Sequence, residues 1–430
     1  MKKKAAIAFF TLILLLAAAG AAGKTIYDGV DESRIPALSV SIFGTSLEPV
    51  KGGWNEAVFN GLAYKEFSFE DESAAADIGE LPETAPTPKT PDGYDAAYEL
   101  FFNDELISAG GAEKLESGLF EGSGDYTVLV YIEKPYEKHK GYGFFQFRLD
   151  FTVPPPDPEF FTGELSLSQG EILVLKLTNV PPDVFPNAAT DLGMSVFTPG
   201  GEGEWFAAIP VGNTRAPGFY KVNVAVGEHS EHTWEAEVSV KVYGFDTQNL
   251  IIDTSDPVIS EANSPEAYAQ YRAKIPPLYD TYDRTRYWSG VFISPVSGRI
   301  STEFGSVRYT NSNWSNPRYH WGVDIAADRG TPVAAPNDGR VVFAEYLLNT
   351  GNTVAIEHGG GLKSYYYHMD SIDVSAGDMV QKGDRIGTVG STGYSTGPHL
   401  HFEMRIGNQA VNPIMLLDGS ASLYAFEAST

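Results

Sequence analysis

Five residues in the last third of the chain, His320, Asp324, His368, His399 and His401, are of the types that bind a metal ion or move protons near neutral pH. They sit in three short stretches: Arg318-Tyr-His-Trp-Gly-Val-Asp-Ile325, Tyr365-Tyr-Tyr-His-Met369 and Gly397-Pro-His-Leu-His-Phe-Glu403. Four of the eight histidines of the chain fall in these pieces. Side chains alternate across a strand, so His399 and His401 share one face while Leu400 and Phe402 take the other. Two adjacent imidazoles are costly in a core unless a metal or a hydrogen-bond network holds them. His320 and Asp324 are four apart, which invites a helical reading of the His-Glu-x-x-His kind. Gly322 and the Val323-Asp324-Ile325 run favour an extended segment instead. Gly322 and Asp324 then share a face, and His320 is delivered from the loop before it. One carboxylate and two imidazoles make three ligands and leave a fourth tetrahedral position for water. That is the arrangement of a catalytic zinc site rather than a structural one.

The order His-x-x-x-Asp, then Tyr-x-His, then His-x-His resembles the lysostaphin/LytM-type zinc metallo-endopeptidases that cut peptidoglycan peptides. The flanking text is similar too: Gly298-Arg-Ile-Ser-Thr-Glu-Phe-Gly305, Gly330-Thr-Pro-Val-Ala-Ala335, Gly351-Asn-Thr-Val-Ala-Ile-Glu-His-Gly359 and Gly390-Ser-Thr-Gly393. The resemblance covers residues 291–416, under a third of the chain. It implies one zinc ion held by His320, Asp324 and His401, with His368 and His399 as the unliganded histidines of the chemistry. It also implies a rival: some proteins resembling this family have lost ligands and act as scaffolds or activators of wall amidases. All five positions are present here.

Around those five, Tyr366 is expected on the same strand face as His368, where its hydroxyl would either meet the reaction intermediate or belong to an ordinary packed tyrosine. Arg308, on the approach to His320, is expected to bind substrate. Glu403 continues the His399/His401 face, either orienting a ligand histidine or pairing with Arg405. His358 is assigned to a turn. His229 and His232 are close enough to share a metal but are expected on a solvated loop. His399, beside ligand His401, is the nearest candidate base, with His368 completing the pair.

These residues need rigid elements beneath them. Stretches such as 339–344, 352–357 and 362–368 read as short strands between glycine turns, and the fold class is mainly β. The resemblance implies a C-terminal peptidase domain, a duplicated-hairpin β-sandwich or barrel, over residues 287–418. Residues 330–341 are faintly echoed at 377–386. Biotinyl and lipoyl carriers look similar but need a modifiable lysine at a hairpin tip, and Asn337-Asp338-Gly339 has none. Two β-sandwich domains are expected upstream: a β-rich region at 24–155 with a short helix near 96–106 and an acidic loop at 70–92, and an immunoglobulin-like sandwich at 159–245. Residues 154–158, with four prolines, form a stiff linker. A helical linker spans 246–286, its helix at 264–274 opening on a serine cap and a proline. Tyr279, Tyr282, Tyr287 and Trp288 follow and are expected to pack on the next domain, with lining of a substrate groove as the alternative.

Residues 1–23 carry three lysines, an apolar run and small residues, the pattern of a secretory signal peptide, with an uncleaved anchor as the alternative. The expected location is therefore exported: periplasm, cell envelope or extracellular space. The chain has no cysteine, which excludes disulfides and thiol catalysis. A formal charge of −26 argues against nucleic acid and anionic membranes as partners, leaving contact with a membrane to the uncleaved signal alone. Expected partners are peptidoglycan peptides, together with a wall or envelope protein bound through the β-domains.

Overall fold

The computed structural model describes residues 2–82, 86, 88, 89, 91–227 and 231–424, with backbone alone for 2–13. The 228–230 part of the His229/His232 pair lies outside the described residues. The chain divides into two compact units, Met1–Pro156 and Asp157–Thr430. It is mainly β.

The first unit starts with the helix Lys2–Asp28. Among the described residues no helix is long and apolar enough to cross a membrane. A seven-stranded sheet follows, ordered Ala63–Glu70, Lys51–Val58, Tyr142–Val153, Gly124–Lys134, Asp95–Phe102 and Glu105–Gly111, with Ala76–Glu80 parallel to Tyr142–Val153. Its core is aromatic: Trp54, Tyr126, Phe145, Phe147 and Phe151 alternate inward along their strands. Two expectations fail here. The helix expected near 96–106 is the strand Asp95–Phe102, in which Tyr98 and Leu100 alternate into the core. Glu99 lies between them and takes the Tyr131 hydroxyl at 2.7 Å on the other face. The acidic stretch expected as loop contributes the strand Ala76–Glu80, because its apolar Ala76 and Ile78 pack against the same core.

The second unit opens with two four-stranded sheets, Glu159–Thr162, Ile172–Thr178, Trp205–Pro210 and Phe197–Pro199 against Ser166–Ser168, His232–Lys241, Gly218–Val226 and Asn187–Thr190. Leu173, Leu175 and Leu177 point between the sheets to meet Val222, Val224 and Val238. Their neighbours Ile172 and Val174 face the other way and join the core of the C-terminal sheet. A strand buried on both faces reads as a continuous apolar run, and Ile172-Leu-Val-Leu175 is one.

Three helices follow: Pro257–Ala262, Pro265–Lys274 and Pro276–Tyr279. Ser264 caps the second by accepting from the Ala267 amide at 3.1 Å, and Pro265 takes the first helical position. One helix was expected here; the flanking two each begin on a proline of their own.

The C-terminal sheet has ten strands. Its path runs Arg299–Thr302, Val323–Ala326, His399–Ile406, Leu362–Ile372, Gly351–Gly359, Gly339–Leu347 and Met379–Val380. Its two ends do not pair, so no barrel closes. The two echoed segments pair with one another: Ala334 lies opposite Arg385 and Gly339 opposite Val380. Leu400, Phe402, Met404 and Ile406 fill one face of the central strand, leaving the other face for polar residues.

Candidate metal centre

The sheet register brings the polar residues together. Val323–Ala326 pairs antiparallel with His399–Ile406, setting Asp324 opposite His401. On the other side of the central strand, Tyr367 lies opposite His401. Residues directly opposite one another in an antiparallel pair project to the same face. His320 arrives from the loop after Arg318–Tyr319; its amide donates to the Ser306 carbonyl at 2.9 Å. Between His320 and Asp324 the chain runs against the central strand, and a Cβ on Gly322 would collide with the Phe402 carbonyl. Glycine is required there by that close approach.

The nitrogens are sorted by what each can bind. His320 Nδ1 lies 2.9 Å from the Glu303 carbonyl, which only accepts, so that nitrogen carries the hydrogen. Its Nε2 is left as a lone pair 3.0 Å from Asp324 Oδ1 and 2.9 Å from His401 Nδ1. His401 Nε2 donates to Glu403 Oε1 at 3.1 Å, and its Nδ1 stands 2.8 Å from Asp324 Oδ1. His320 and Asp324 are buried, and His401 nearly so. Two nitrogens and one carboxylate oxygen thus converge, all within 4.8 Å of one another. Three electron-rich atoms facing each other in a low-dielectric site repel unless a proton or a cation lies among them.

Charge in the cluster follows from its surroundings. Burial pushes His320 down to about 4, against the pull of Asp324. Burial also opposes charge on His401, but the Asp324 and Glu403 carboxylates flank it and lift it to about 9. Asp324 would be raised by burial, yet its contacts with both imidazoles hold it well below the usual carboxylate range. Two imidazoles and a carboxylate, each tied from behind, form a donor set that fits zinc.

His368 and His399 stand beside this cluster. Val354 pairs with Tyr366 but Asn352 pairs with Met369, so one extra residue is inserted on the Leu362–Ile372 strand. At this β-bulge His368 takes a φ of 64°, a left-handed conformation that costs of order 1–3 kcal/mol for a residue other than glycine. The kink turns the imidazole toward the site, 4.9 Å from the His399 ring and 6.2 Å from the His401 ring. Its Nδ1–H donates to the Thr392 carbonyl at 2.9 Å. His399 Nδ1–H donates to the Gly397 carbonyl at 2.8 Å, and its Nε2 is 3.8 Å from Asp324 Oδ1. Burial holds His368 down to about 3 and pushes His399 down as well. His320, His368 and His399 therefore each have one ring nitrogen satisfied by a backbone carbonyl and the other left as a lone pair, while His401 Nδ1 holds a proton toward Asp324 until a cation replaces it.

Other expectations are redistributed. Tyr366 is not at the cluster: the bulge between it and His368 breaks the alternation, and its ring packs on Phe402 in the core with its hydroxyl on Ser364 at 2.8 Å. Tyr367 takes the place beside the cluster, its ring stacked on His401 at 5.5 Å. Arg308 is near the site, but its guanidinium is bonded to Asp324 Oδ2, turning Oδ1 toward the histidines. Glu403 meets both expectations at once: Oε1 takes His401, and Oε2 takes Arg405 at 2.8 Å. His358 is not in a turn. It is fully buried within the strand Gly351–Gly359, bonded to the Asp338 carbonyl at 2.7 Å and Ser364 Oγ at 2.8 Å. The backbone acceptors Glu303, Thr392 and Gly397 left no signal in the sequence, since any residue supplies a carbonyl.

The sequence model of peptidase family M23 matches residues 318–413, the stretch that holds all five cluster residues. The chain carries an M23 peptidase domain at its C-terminus. This domain is 44% identical over 127 residues to the DD-carboxypeptidase/endopeptidase Mpg of Neisseria meningitidis, covering 29% of each chain. It is 43% identical over 93 residues to the peptidoglycan DD-endopeptidase ShyA of Vibrio cholerae, covering 22% of each. It is also 40% identical over 119 residues to the murein hydrolase activator EnvC of Escherichia coli, covering 28% of this chain and 27% of that one. The chain therefore spans less than a third of the length of these relatives. Among solved structures, the lysostaphin catalytic domain of Staphylococcus simulans is 31% identical over 30% of this chain and 92% of that one, with a TM-score of 0.23.

Proposed function

We propose that the M23 domain is a zinc-dependent endopeptidase that hydrolyses amide bonds in the peptide part of peptidoglycan, either stem peptides or cross-links. The observation that carries this reading is the convergence of His320 Nε2, His401 Nδ1 and Asp324 Oδ1, each with its partner atoms engaged from behind. His320, Asp324 and His401 would hold the ion. When bound, zinc supplies a Lewis acid that polarises an amide carbonyl and activates water at neutral pH. The protein supplies the proton transfers. With Nδ1–H tied to Gly397, His399 offers Nε2 as the base that accepts a proton from the attacking water and returns it to the leaving amine. His368, its Nδ1–H tied to Thr392, presents a second neutral imidazole to orient the water or stabilise the oxyanion. Burial keeps both neutral at pH 7, the state a base requires. Arg308 serves by holding Asp324 rather than by binding substrate.

The relatives support the substrate class: ShyA is named a peptidoglycan DD-endopeptidase. The name of EnvC, a murein hydrolase activator, marks the alternative of a non-catalytic scaffold or activator. The complete five-residue set favours the enzyme. Residues 1–23 act as the export signal in this account, delivering the protein to the periplasm, envelope or exterior. Residues 24–155 and 159–245 serve as β-modules that place or restrain the peptidase, 246–286 joins them to it, and a wall or envelope protein binds through those modules. The experiment is digestion of purified peptidoglycan with and without chelator. Release of free amines that stops on chelation and returns with zinc, without new reducing sugar ends, is expected. Wall binding with no amine release under any zinc condition would favour the scaffold.

A further inference from the structure

The helices before the M23 domain reach the back of the metal centre. Ile275, between the helices Pro265–Lys274 and Pro276–Tyr279, is fully buried in a cluster with Phe343, Leu347, Tyr365 and Tyr367. Tyr271 and Tyr279, one from each helix, join hydroxyls at 3.0 Å. The Tyr279 ring lies over the Arg405 guanidinium, 4.5 Å from centroid to carbon. Arg405 is only 6% exposed, and its Nε finds no acceptor among the described residues. A buried guanidinium without a full set of acceptors depends on the aromatic face for the solvation it has lost.

What Arg405 touches gives that contact its consequence. Its Nη1 donates to Glu403 Oε2 at 2.8 Å, and Glu403 Oε1 holds His401. The ring of Trp321, the residue after His320, also lies over the guanidinium at 5.6 Å. A second line of contact runs from Tyr279 to Tyr365 at 6.0 Å, to Tyr367 at 6.2 Å, and to the His401 ring at 5.5 Å. Both lines end on the same imidazole. Independent ties fix the helices in place: Gln270 accepts the Leu348 amide at 2.8 Å, and Lys274 pairs with Glu345 at 2.8 Å.

We propose that Tyr279 is a positioning residue for the metal centre, acting through Arg405 and Glu403 to fix the orientation of His401. The helices at 265–279 are thereby part of the catalytic unit, though they lie outside the stretch matched to the family. The inference rests on the zinc reading of the site. Its consequence is that a domain beginning after residue 280 has the five cluster residues but lacks the nearer of the two rings over Arg405, leaving Trp321 alone there.

The test uses the full chain with Tyr279→Leu and Tyr279→Met, which remove the aromatic face at similar bulk, and Tyr279→Phe, which keeps it. Zinc affinity is read by competition with a chromogenic chelator, and kcat and KM at saturating zinc on a peptidoglycan peptide. The Leu and Met variants are expected to bind zinc about tenfold or more weakly, the range for loss of a group that orients a ligand. Their kcat falls while KM stays within about twofold; the Phe variant stays within about twofold of wild type throughout. Leu and Met variants that melt lower yet keep wild-type zinc affinity and kcat would overturn the proposal and leave a purely structural role. If neither folds, a Phe variant with zinc affinity lowered tenfold would equally overturn it, because the ring face is intact there. A wild-type protein that takes up no zinc would instead sink the reading of the site itself.

Discussion

His320 Nε2 and His401 Nδ1 face each other across 2.9 Å, and Asp324 Oδ1 completes a triangle with edges of 3.0 and 2.8 Å. Neither nitrogen can turn away, since the opposite nitrogen of each ring is committed to Glu303 or Glu403. The triangle is stable with a proton or a cation inside it, and zinc is the cation its donors suit. Zinc that binds the folded state alone stabilises it by about 4 kcal/mol when free zinc is about a thousandfold above the dissociation constant. Calorimetry of chelator-treated protein should show the melting temperature of the C-terminal unit rising on zinc addition. The rise should vanish in Asp324→Ala; an equal rise in that variant would mean zinc binds elsewhere.

Glu403 holds His401 and is held by Arg405, all three largely buried. Burial works against its charge, yet Arg405 and His401 bring its carboxyl down to about 2. Glu403→Gln keeps the shape and removes the charge. Zinc affinity is expected to fall about 10- to 100-fold, measured by chelator competition. Unchanged affinity would show that the carboxylate merely packs.

His399→Ala and His368→Ala separate chemistry from metal binding. Both should retain one zinc and lose activity by about 10²- to 10⁴-fold, the range for removing a positioned acid or base. His320→Ala and His401→Ala should lose zinc and activity together. Amine release measured beside zinc content sorts the two classes. Near wild-type turnover in His399→Ala would reject its role as base.

The strand position of His358 predicts a pH effect unrelated to the site. Burial depresses it to about 4, against about 6.5 in an unfolded chain. The unfolded state binds the extra proton between those values, so the stability is fully present above about pH 6.5 and drains away as pH falls toward 4. The loss is of order 3 kcal/mol. Urea unfolding at pH 7.5 and 4.5 should show His358→Asn losing less than wild type over this interval. Parallel losses would mean that other groups govern the acid limb.

The parts of the site that were visible in the sequence were local ones. His399-Leu-His401 alternates on a strand, and the Val323-Asp324-Ile325 run is extended; both features are carried by adjacent residues. Tyr366 was misplaced because strict alternation was extended through a bulge. The left-handed turn at His368 is a backbone strain that histidine does not announce. Residues 96–106 read as a helix because alanine and leucine are strong helix formers; they fold instead into the hairpin of Asp95–Phe102 with Glu105–Gly111, and the strand's other partner, Gly124–Lys134, lies about thirty residues away. The hold of Arg308 on Asp324 and the ring of Tyr279 over Arg405 join residues distant in the chain. Residue type alone specified a cation and an aromatic, not their partners.

The most direct measurement is the zinc content of purified protein, by elemental analysis after exchange into metal-free buffer, for wild type, Asp324→Ala and His399→Ala in parallel. A zinc site at His320, Asp324 and His401 predicts one zinc per chain in wild type and His399→Ala and none in Asp324→Ala. Zinc retained at full occupancy in Asp324→Ala, or absent from wild type after reconstitution, would contradict it.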